Sequence, residues 1–91
     1  ISKLSLENIP NPFSGSTEIR FVLPEETHAT IGIYDLHGRL VYSLSGDYSA
    51  GTHSITWNSI GHDGFLVADG TYYCRLQTNT DAVIRKMILI R

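Results

Sequence analysis

The sequence has one cysteine, three prolines, four alanines and no long apolar run. The single cysteine, Cys74, cannot form an internal disulfide, and zinc sites that need two or four cysteine ligands are excluded. The longest aliphatic run, 87–90, is far shorter than the roughly 20 apolar residues that span a bilayer. We therefore expect no membrane insertion, and we expect Cys74 to be a small buried residue of a strand.

Charge of either sign is also sparse. Seven Lys and Arg stand against nine Asp and Glu, which gives a formal net charge of −2. Because no basic excess is available to neutralise phosphates, nucleic acid is not an expected partner. The 42% hydrophobic and 18% charged residues are the proportions of a globular chain and exclude intrinsic disorder. The 91 residues allow one domain, 1–91. Since the chain begins at Ile1 without a signal-peptide pattern, we expect it to be a module of a longer polypeptide.

The residues that are abundant favour β-structure. Ile, Val and Thr supply 22 residues, and β-branched side chains with five tyrosines favour strands over helices. Seven short alternating segments bounded by turn residues are predicted as strands: 4–8, 17–23, 28–35, 39–45, 52–58, 71–78 and 82–90. Gly46 and Asp47 are expected to end the fourth. This spacing predicts an all-β, immunoglobulin-like sandwich of two antiparallel sheets, with a closed barrel as the alternative.

The alternation also assigns the core. Residues in the inward phases of strands two, three, five and six are Ile19, Phe21, Leu23, Ala29, Ile31, Ile33, His53, Ile55, Trp57, Tyr72, Cys74 and Leu76. Of these, His53 is expected to be only partly buried.

The last predicted strand is apolar on both faces. Met87 and Leu89 lie in one phase, while Ile84, Ile88 and Ile90 lie in the other with Lys86. The second face is either covered by a neighbouring part of the parent chain or is a docking surface. The fourth strand is mixed in the same way, with Leu40, Tyr42 and Leu44 opposed to Val41.

No residue pattern indicates catalysis. The four histidines share no metal-ligating spacing, the carboxylates Asp63 and Asp69 read as turn residues before glycines, and no serine lies in a nucleophile elbow. We therefore expect no enzyme activity, no metal and no cofactor. Tyr34 and Tyr73 fall in the outward phase of their strands, so a carbohydrate ligand is an open alternative. The other aromatic candidates for a sugar platform are Tyr42, Tyr48 and Phe65.

Five short motifs follow one another along the chain. They are Pro-Asn-Pro-Phe at 10–13, Tyr-Asp-Leu-His-Gly-Arg-Leu-Val at 34–41, Gly-Thr-His-Ser-Ile-Thr-Trp at 51–57, Gly-Thr-Tyr at 70–72 and Arg-Lys-Met-Ile-Leu at 85–89. This order resembles the C-terminal sorting domains of proteins exported by the type IX secretion system. It also resembles the immunoglobulin-like domain of the flagellar hook-capping protein. The likeness covers residues 8–91.

The resemblance implies a non-catalytic sorting domain that addresses an exported cargo protein to the secretion machinery. It implies export through the periplasm to the cell surface or medium. The expected partner is that machinery or a neighbouring domain of the same parent chain. The alternatives are an accessory module that packs on an extracellular enzyme and a carbohydrate-binding module. The residues expected to bind the partner lie on the last strand and at two turns: Lys86, Ile88, Ile90, Asn11, Pro12, Gly38 and Arg39.

Overall fold

Seven strands form two antiparallel sheets in the computed structural model, which describes residues 4–90. The strands are β1 (Ser5–Ile9), β2 (Thr17–Leu23), β3 (Thr27–Tyr34), β4 (Leu40–Tyr48), β5 (Gly51–Trp57), β6 (Gly70–Gln77) and β7 (Ala82–Leu89). One sheet has the order β1-β2-β5 and the other the order β4-β3-β6-β7. Both sheets contribute to one hydrophobic core, which confirms the predicted immunoglobulin-like sandwich.

Most of the core is made of the residues that alternation assigns inward. β2, β3, β6 and β7 each present alternate apolar side chains to the space between the sheets. At one end of this space Trp57 packs on two other rings, with centroid distances of 6.0 Å to Phe13 and 5.8 Å to Tyr72. The indole Nε1 of Trp57 donates a hydrogen bond of 3.1 Å to the carbonyl of Ile60, so the polar atom of this buried ring has a partner. His53 and Ile55 of β5 are only half-buried.

β4 is longer than the sequence indicates. It continues through Gly46 and Asp47 to Tyr48, so the prediction that these two residues end the strand is wrong. β3 begins at Thr27, and its first three residues pair with residues 46–48 of β4. The hydrogen bonds of this pairing outweigh the low strand preference of glycine and aspartate.

A bulge explains the mixed pattern of β4. Ile33 pairs with Tyr42, whereas the next residue, Tyr34, pairs with Leu40, so Val41 is the extra residue of the bulge. Because the bulge changes the alternation, Leu40 is exposed while Tyr42 packs against the core.

The connection between β1 and β2 crosses from one sheet to the free edge of the other. We call residues 10–13 the crossing segment. The side-chain amide of Asn11 donates to the carbonyl of Lys86 and accepts from the N–H of Ile88, both at 3.0 Å. Phe13 donates its N–H to the carbonyl of Ile88, and the N–H of Ile90 donates to the carbonyl of Phe13, both at 2.9 Å. These four hydrogen bonds join the end of β7 to the other sheet.

The first and last strands leave the sandwich at opposite ends. β1 begins at the end where β2 passes into β3, because Ser5 pairs with Val22. β7 finishes at the other end, where Leu89 pairs with Gly70 at the start of β6. The longest dimension of the molecule is 38 Å.

We predict that Cys74 does not react with a thiol reagent in the native state. The residue is 1% exposed, and burial raises the pKa of its thiol to about 12. At pH 8 roughly one thiol in 10,000 is ionised in the folded protein. Labelling at pH 8 should be slow without denaturant and rapid with it. Rapid native labelling would contradict the burial.

The pKa of Cys74 in the folded protein is raised above the ordinary 9.0. The unfolding free energy of the wild type relative to that of Cys74→Ala should therefore fall as the pH rises above 9.0.

We also predict that Asn11→Ala destabilises the protein. The variant loses two side-chain hydrogen bonds to β7, which together contribute about 1–3 kcal/mol. The free energy of unfolding in urea measures this loss. Asn79→Ala is the matched control, because Asn79 is an exposed residue of the β6–β7 turn and its loss should cost less than about 0.5 kcal/mol. Equal stability of the two variants would contradict a stabilising role for the Asn11 amide.

Candidate functional site

The outer face of the four-stranded sheet collects side chains from strands far apart in the sequence. β6 lies between β3 and β7, so Tyr34 is opposite Tyr73, and Tyr73 is opposite Lys86. One row further along the sheet, Arg75 is opposite Ile84. Side chains of paired residues lie on the same face of a sheet. We call this surface the outer patch: Tyr34, Tyr73, Arg75, Ile84, Lys86 and Ile88.

The two faces of β7 have different surroundings: one face is buried in the core and the other is exposed on the outer patch. Met87 is fully buried and Leu89 is 1% exposed, and burying each contributes roughly 1.5–3 kcal/mol. On the opposite face Ile84 is 55% exposed, Lys86 is exposed and Ile88 is half-buried. A substitution in the outer patch therefore leaves the core side chains of this strand in place.

Arg75 is the most unusual residue of the outer patch. Its Nε atom is buried and has no hydrogen-bond partner among the described residues, a condition shared in residues 4–90 only by the Nδ2 atom of Asn8. A buried donor without a partner costs roughly 1–3 kcal/mol, and more when the group is charged. The half-buried Arg75 thus has a buried Nε donor that no acceptor in residues 4–90 satisfies.

A shallow groove of about 280 Å³ runs beside Arg75. Thr30, Gly32, Tyr34 and Gln77 complete its lining. A Cβ atom on Gly32 would lie 3.0 Å from Cε1 and 3.2 Å from the hydroxyl oxygen of Tyr34. The absence of a side chain at position 32 therefore allows the Tyr34 ring to lie close over β3, where it forms one wall of the groove.

Some Lys and Arg side chains in residues 4–90 form hydrogen bonds or ion pairs, and others do not. Arg20 and Arg39 each form ion pairs with carboxylates, and Arg85 donates to a backbone carbonyl. Within residues 4–90, no hydrogen bond or ion pair involves the side chain of Arg75 or of Lys86. The two cations that have no carboxylate or carbonyl partner thus lie on the same surface.

Two predicted site residues, Asn11 and Pro12, lie in the crossing segment. Both peptide bonds that precede the prolines of this segment are cis. The amide of Asn11 is occupied by its bonds to the backbone of Lys86 and Ile88, whereas Pro12 is exposed. The structure thus brings these residues beside the predicted positions on β7, and it gives Asn11 an internal role. Ile90 follows β7 and is 55% exposed.

Gly38 and Arg39 lie elsewhere, in the turn between β3 and β4. Asp35 organises this turn: its carboxylate accepts from the N–H groups of His37 and Arg39 at 2.9 and 3.0 Å, and from Nε of Arg39 at 2.9 Å. The hydrogen bond from the Arg39 backbone is the largest cause that lowers the pKa of Asp35. Gly38 has a φ of 83°, a conformation that favours glycine.

A larger groove of about 660 Å³ lies between this turn and the β5–β6 loop. Leu36, Phe65 and Leu66 are exposed on its walls. Arg39 lines it, but no residue of β7 does. The predicted site residues therefore form two separate groups, one around β7 and one around the β3–β4 turn.

Among the other aromatic candidates, Tyr42 stacks on His62 with ring centroids 5.4 Å apart. Tyr48 packs edge-on against Phe21 at 5.3 Å and belongs to the margin of the core. These contacts leave Tyr34 and Tyr73 as the tyrosines of the outer patch.

The residues missed by sequence reasoning are Arg75 and Asp35. The signal for Arg75 is its outward phase between Tyr73 and Gln77. The signal for Asp35 is an aspartate three residues before a turn glycine, which commonly accepts hydrogen bonds from the turn backbone.

Two further observations concern residues 4–90. No group of three or more His, Cys, Asp or Glu side chains in this part of the chain is arranged to hold a metal ion. Nor does it contain a helix long and apolar enough to cross a membrane.

A family model, that of the FlgD Ig-like domain, matches residues 8–82. The matched range ends at the first residue of β7. No curated protein has a sequence that matches this chain.

Solved structures that share the fold include three bacterial proteins. Dimeric latent PorU from Porphyromonas gingivalis superposes with a TM-score of 0.74 and 23% identity, over 99% of this chain and 10% of PorU. PorZ from the same organism, an essential surface component of the type IX secretion system, has a TM-score of 0.68 and 22% identity, over 96% and 12%. FlgD from P. aeruginosa has a TM-score of 0.66 and 20% identity, over 96% and 67%. This chain thus spans about a tenth of PorU and of PorZ.

We predict that Asp35→Asn destabilises the protein in a pH-dependent way. The lowered pKa means that the Asp35 carboxylate stabilises the fold above its ordinary pKa of 3.8 and loses this effect as the pH falls through the folded-state value. The urea midpoints of wild type and variant should therefore differ most at neutral pH and converge as the pH falls below 3.8. A difference that stays constant across this range would contradict the role of the ionised carboxylate.

Proposed function

The chain belongs to the FlgD Ig-like domain family, and we propose that it is a non-catalytic sorting domain that addresses an exported cargo protein to the type IX secretion machinery. In this proposal the protein is secreted or placed at the cell surface after passing through the periplasm. Its fold similarity to domains of PorU and PorZ supports the link to that secretion system.

The observation that carries the proposal is the outer face of β7. Met87 and Leu89 of this strand enter the core and Val83 packs against it, whereas Ile84 and Ile88 lie on the opposite face beside Lys86. Exposed apolar side chains grouped with a charge are typical of surfaces that bind another protein. The outer patch is therefore the proposed contact with the secretion machinery.

The positions where β1 begins and β7 ends are compatible with a sorting domain that follows its cargo in the chain. Any segment that precedes residue 4 joins the sandwich at the start of β1, whereas the end of β7 lies at the other end. A cargo domain attached before β1 would thus leave the C-terminal half of β7 accessible to a partner.

An accessory module that packs on an extracellular enzyme is the second candidate. It is favoured by the exposed Leu36, Phe65 and Leu66 around the larger groove, which a neighbouring domain of the same parent chain could cover. A stable complex between this chain and an enzyme domain, lost on Phe65→Ser, would support that candidate instead.

A carbohydrate-binding module is the third candidate, favoured by Tyr34 and Tyr73 on one face. Aromatic rings of this kind can stack on sugars. Binding to neutral glycans on an array, lost on Tyr73→Ala, would support it.

The sorting role predicts that Ile84→Ser impairs export while leaving stability nearly unchanged. The variant should be tested in a bacterium with a type IX system, on a reporter protein fused ahead of this chain. Reporter in the medium and on the cell surface should fall severalfold relative to wild type. The unfolding free energy of the purified variant should change by less than about 0.5 kcal/mol.

Two controls separate docking from folding. Val22→Ser makes the same kind of change on the outer face of the other sheet and should not affect export. Leu89→Ala should lower stability by about 2–5 kcal/mol, the range for large-to-small core substitutions. Export of Ile84→Ser at the wild-type level, or an equal loss for Val22→Ser, would contradict the proposed role of β7.

A further inference from the structure

The outer patch carries two cations, Arg75 and Lys86, although the chain as a whole has a formal net charge of −2. Arg75 and Lys86 are diagonal neighbours across β6 and β7, which places their Cβ atoms within about 7–8 Å. The carboxylate on this face is Asp47, at the far end of edge strand β4, where it pairs with His28 at 2.9 Å. Among the described residues, therefore, neither Arg75 nor Lys86 has a carboxylate partner.

The guanidinium of Arg75 sets the chemistry of a ligand. Its planar set of N–H donors matches the two oxygens of a carboxylate, and no side-chain N–H of Arg75 has an acceptor within residues 4–90. The groove beside it is also lined by Thr30, Tyr34 and Gln77, whose side chains carry hydroxyl and amide groups. A carboxylate seated there would receive hydrogen bonds from several sides, with Lys86 as a second positive charge.

The neighbouring isoleucines indicate what carries the carboxylate. Ile84 and Ile88 lie beside Lys86 and offer aliphatic surface, which suits the apolar side chains of a peptide better than the hydroxyl groups of a sugar. We propose that the outer patch binds an acidic segment of a partner protein, with a carboxylate on Arg75 and apolar side chains on the two isoleucines. This inference rests on the proposed docking function and names the chemistry of the partner.

Binding of short peptides to the full chain tests the inference. The probe is acetyl-Glu-Leu-Glu-Leu-Glu-amide, and the neutral control is acetyl-Gln-Leu-Gln-Leu-Gln-amide. In two-dimensional NMR spectra the acidic peptide should shift amide resonances of residues 73–77 and 84–88. The neutral peptide should bind at least about tenfold more weakly, and added salt should weaken the acidic peptide.

Two variants with the same change in net charge identify the residue. Arg75→Gln should weaken binding of the acidic peptide by at least about tenfold. Arg20→Gln removes a cation from the outer face of the other sheet and should weaken it by less than about twofold. The same spectra report whether each variant is folded. Gly32→Ala provides a second test that keeps both cations: the added methyl group displaces the Tyr34 ring and should also weaken binding.

Several results would overturn the inference. These are no binding of the acidic peptide, an equal loss for Arg75→Gln and Arg20→Gln, or resonance shifts confined to other surfaces. Trigalacturonate is the test for an acidic sugar, and its binding at Arg75 in place of the peptide would also overturn the inference.

The export assay gives a result that is independent of the peptide-binding assay. Peptide binding with export unaffected by Ile84→Ser would refute the sorting role alone, whereas export that needs Ile84 without peptide binding would refute the acidic partner alone.

Discussion

The four hydrogen bonds between the crossing segment and the end of β7 are the constraint on which the rest of the structure depends. Among the strands of residues 4–90, β7 pairs only with β6, and its other edge needs cover at the point where Met87 and Leu89 enter the core. Asn11 and Phe13 provide that cover from 75 or more residues away in the chain. The same contact brings Phe13 against Trp57, so the edge of one sheet and the aromatic end of the core are held together.

This arrangement fixes the position of the outer patch. Because its backbone is held on both edges near Lys86 and Ile88, β7 presents these side chains from a rigid strand rather than from a loop. A surface that is held in place before binding loses less conformational entropy when a partner binds. The Tyr34 ring over Gly32 adds a fixed wall on β3, on the other side of β6.

The sequence predicts the architecture well, because alternation reports directly on which side chains are buried. Ile19, Ile31 and Met87 are core residues for this reason, and the order of short motifs identifies the family. Contacts between distant segments are not visible in that way. The bulge at Val41 depends on pairing with β3, and the role of Asn11 depends on where β7 ends. Arg75 has an ordinary outward phase, and only the structure reveals that its Nε lacks a partner.

The start of β1 and the end of β7 lie at opposite ends of the sandwich, and this has a mechanical consequence. Tension applied between residue 4 and residue 90 runs parallel to the strands, so it loads the hydrogen bonds of the β1–β2 and β6–β7 pairs in shear. Bonds loaded in this direction must break together, whereas bonds pulled at right angles to the strands break one at a time. A domain with this geometry resists unfolding when it is pulled between the start of β1 and the end of β7.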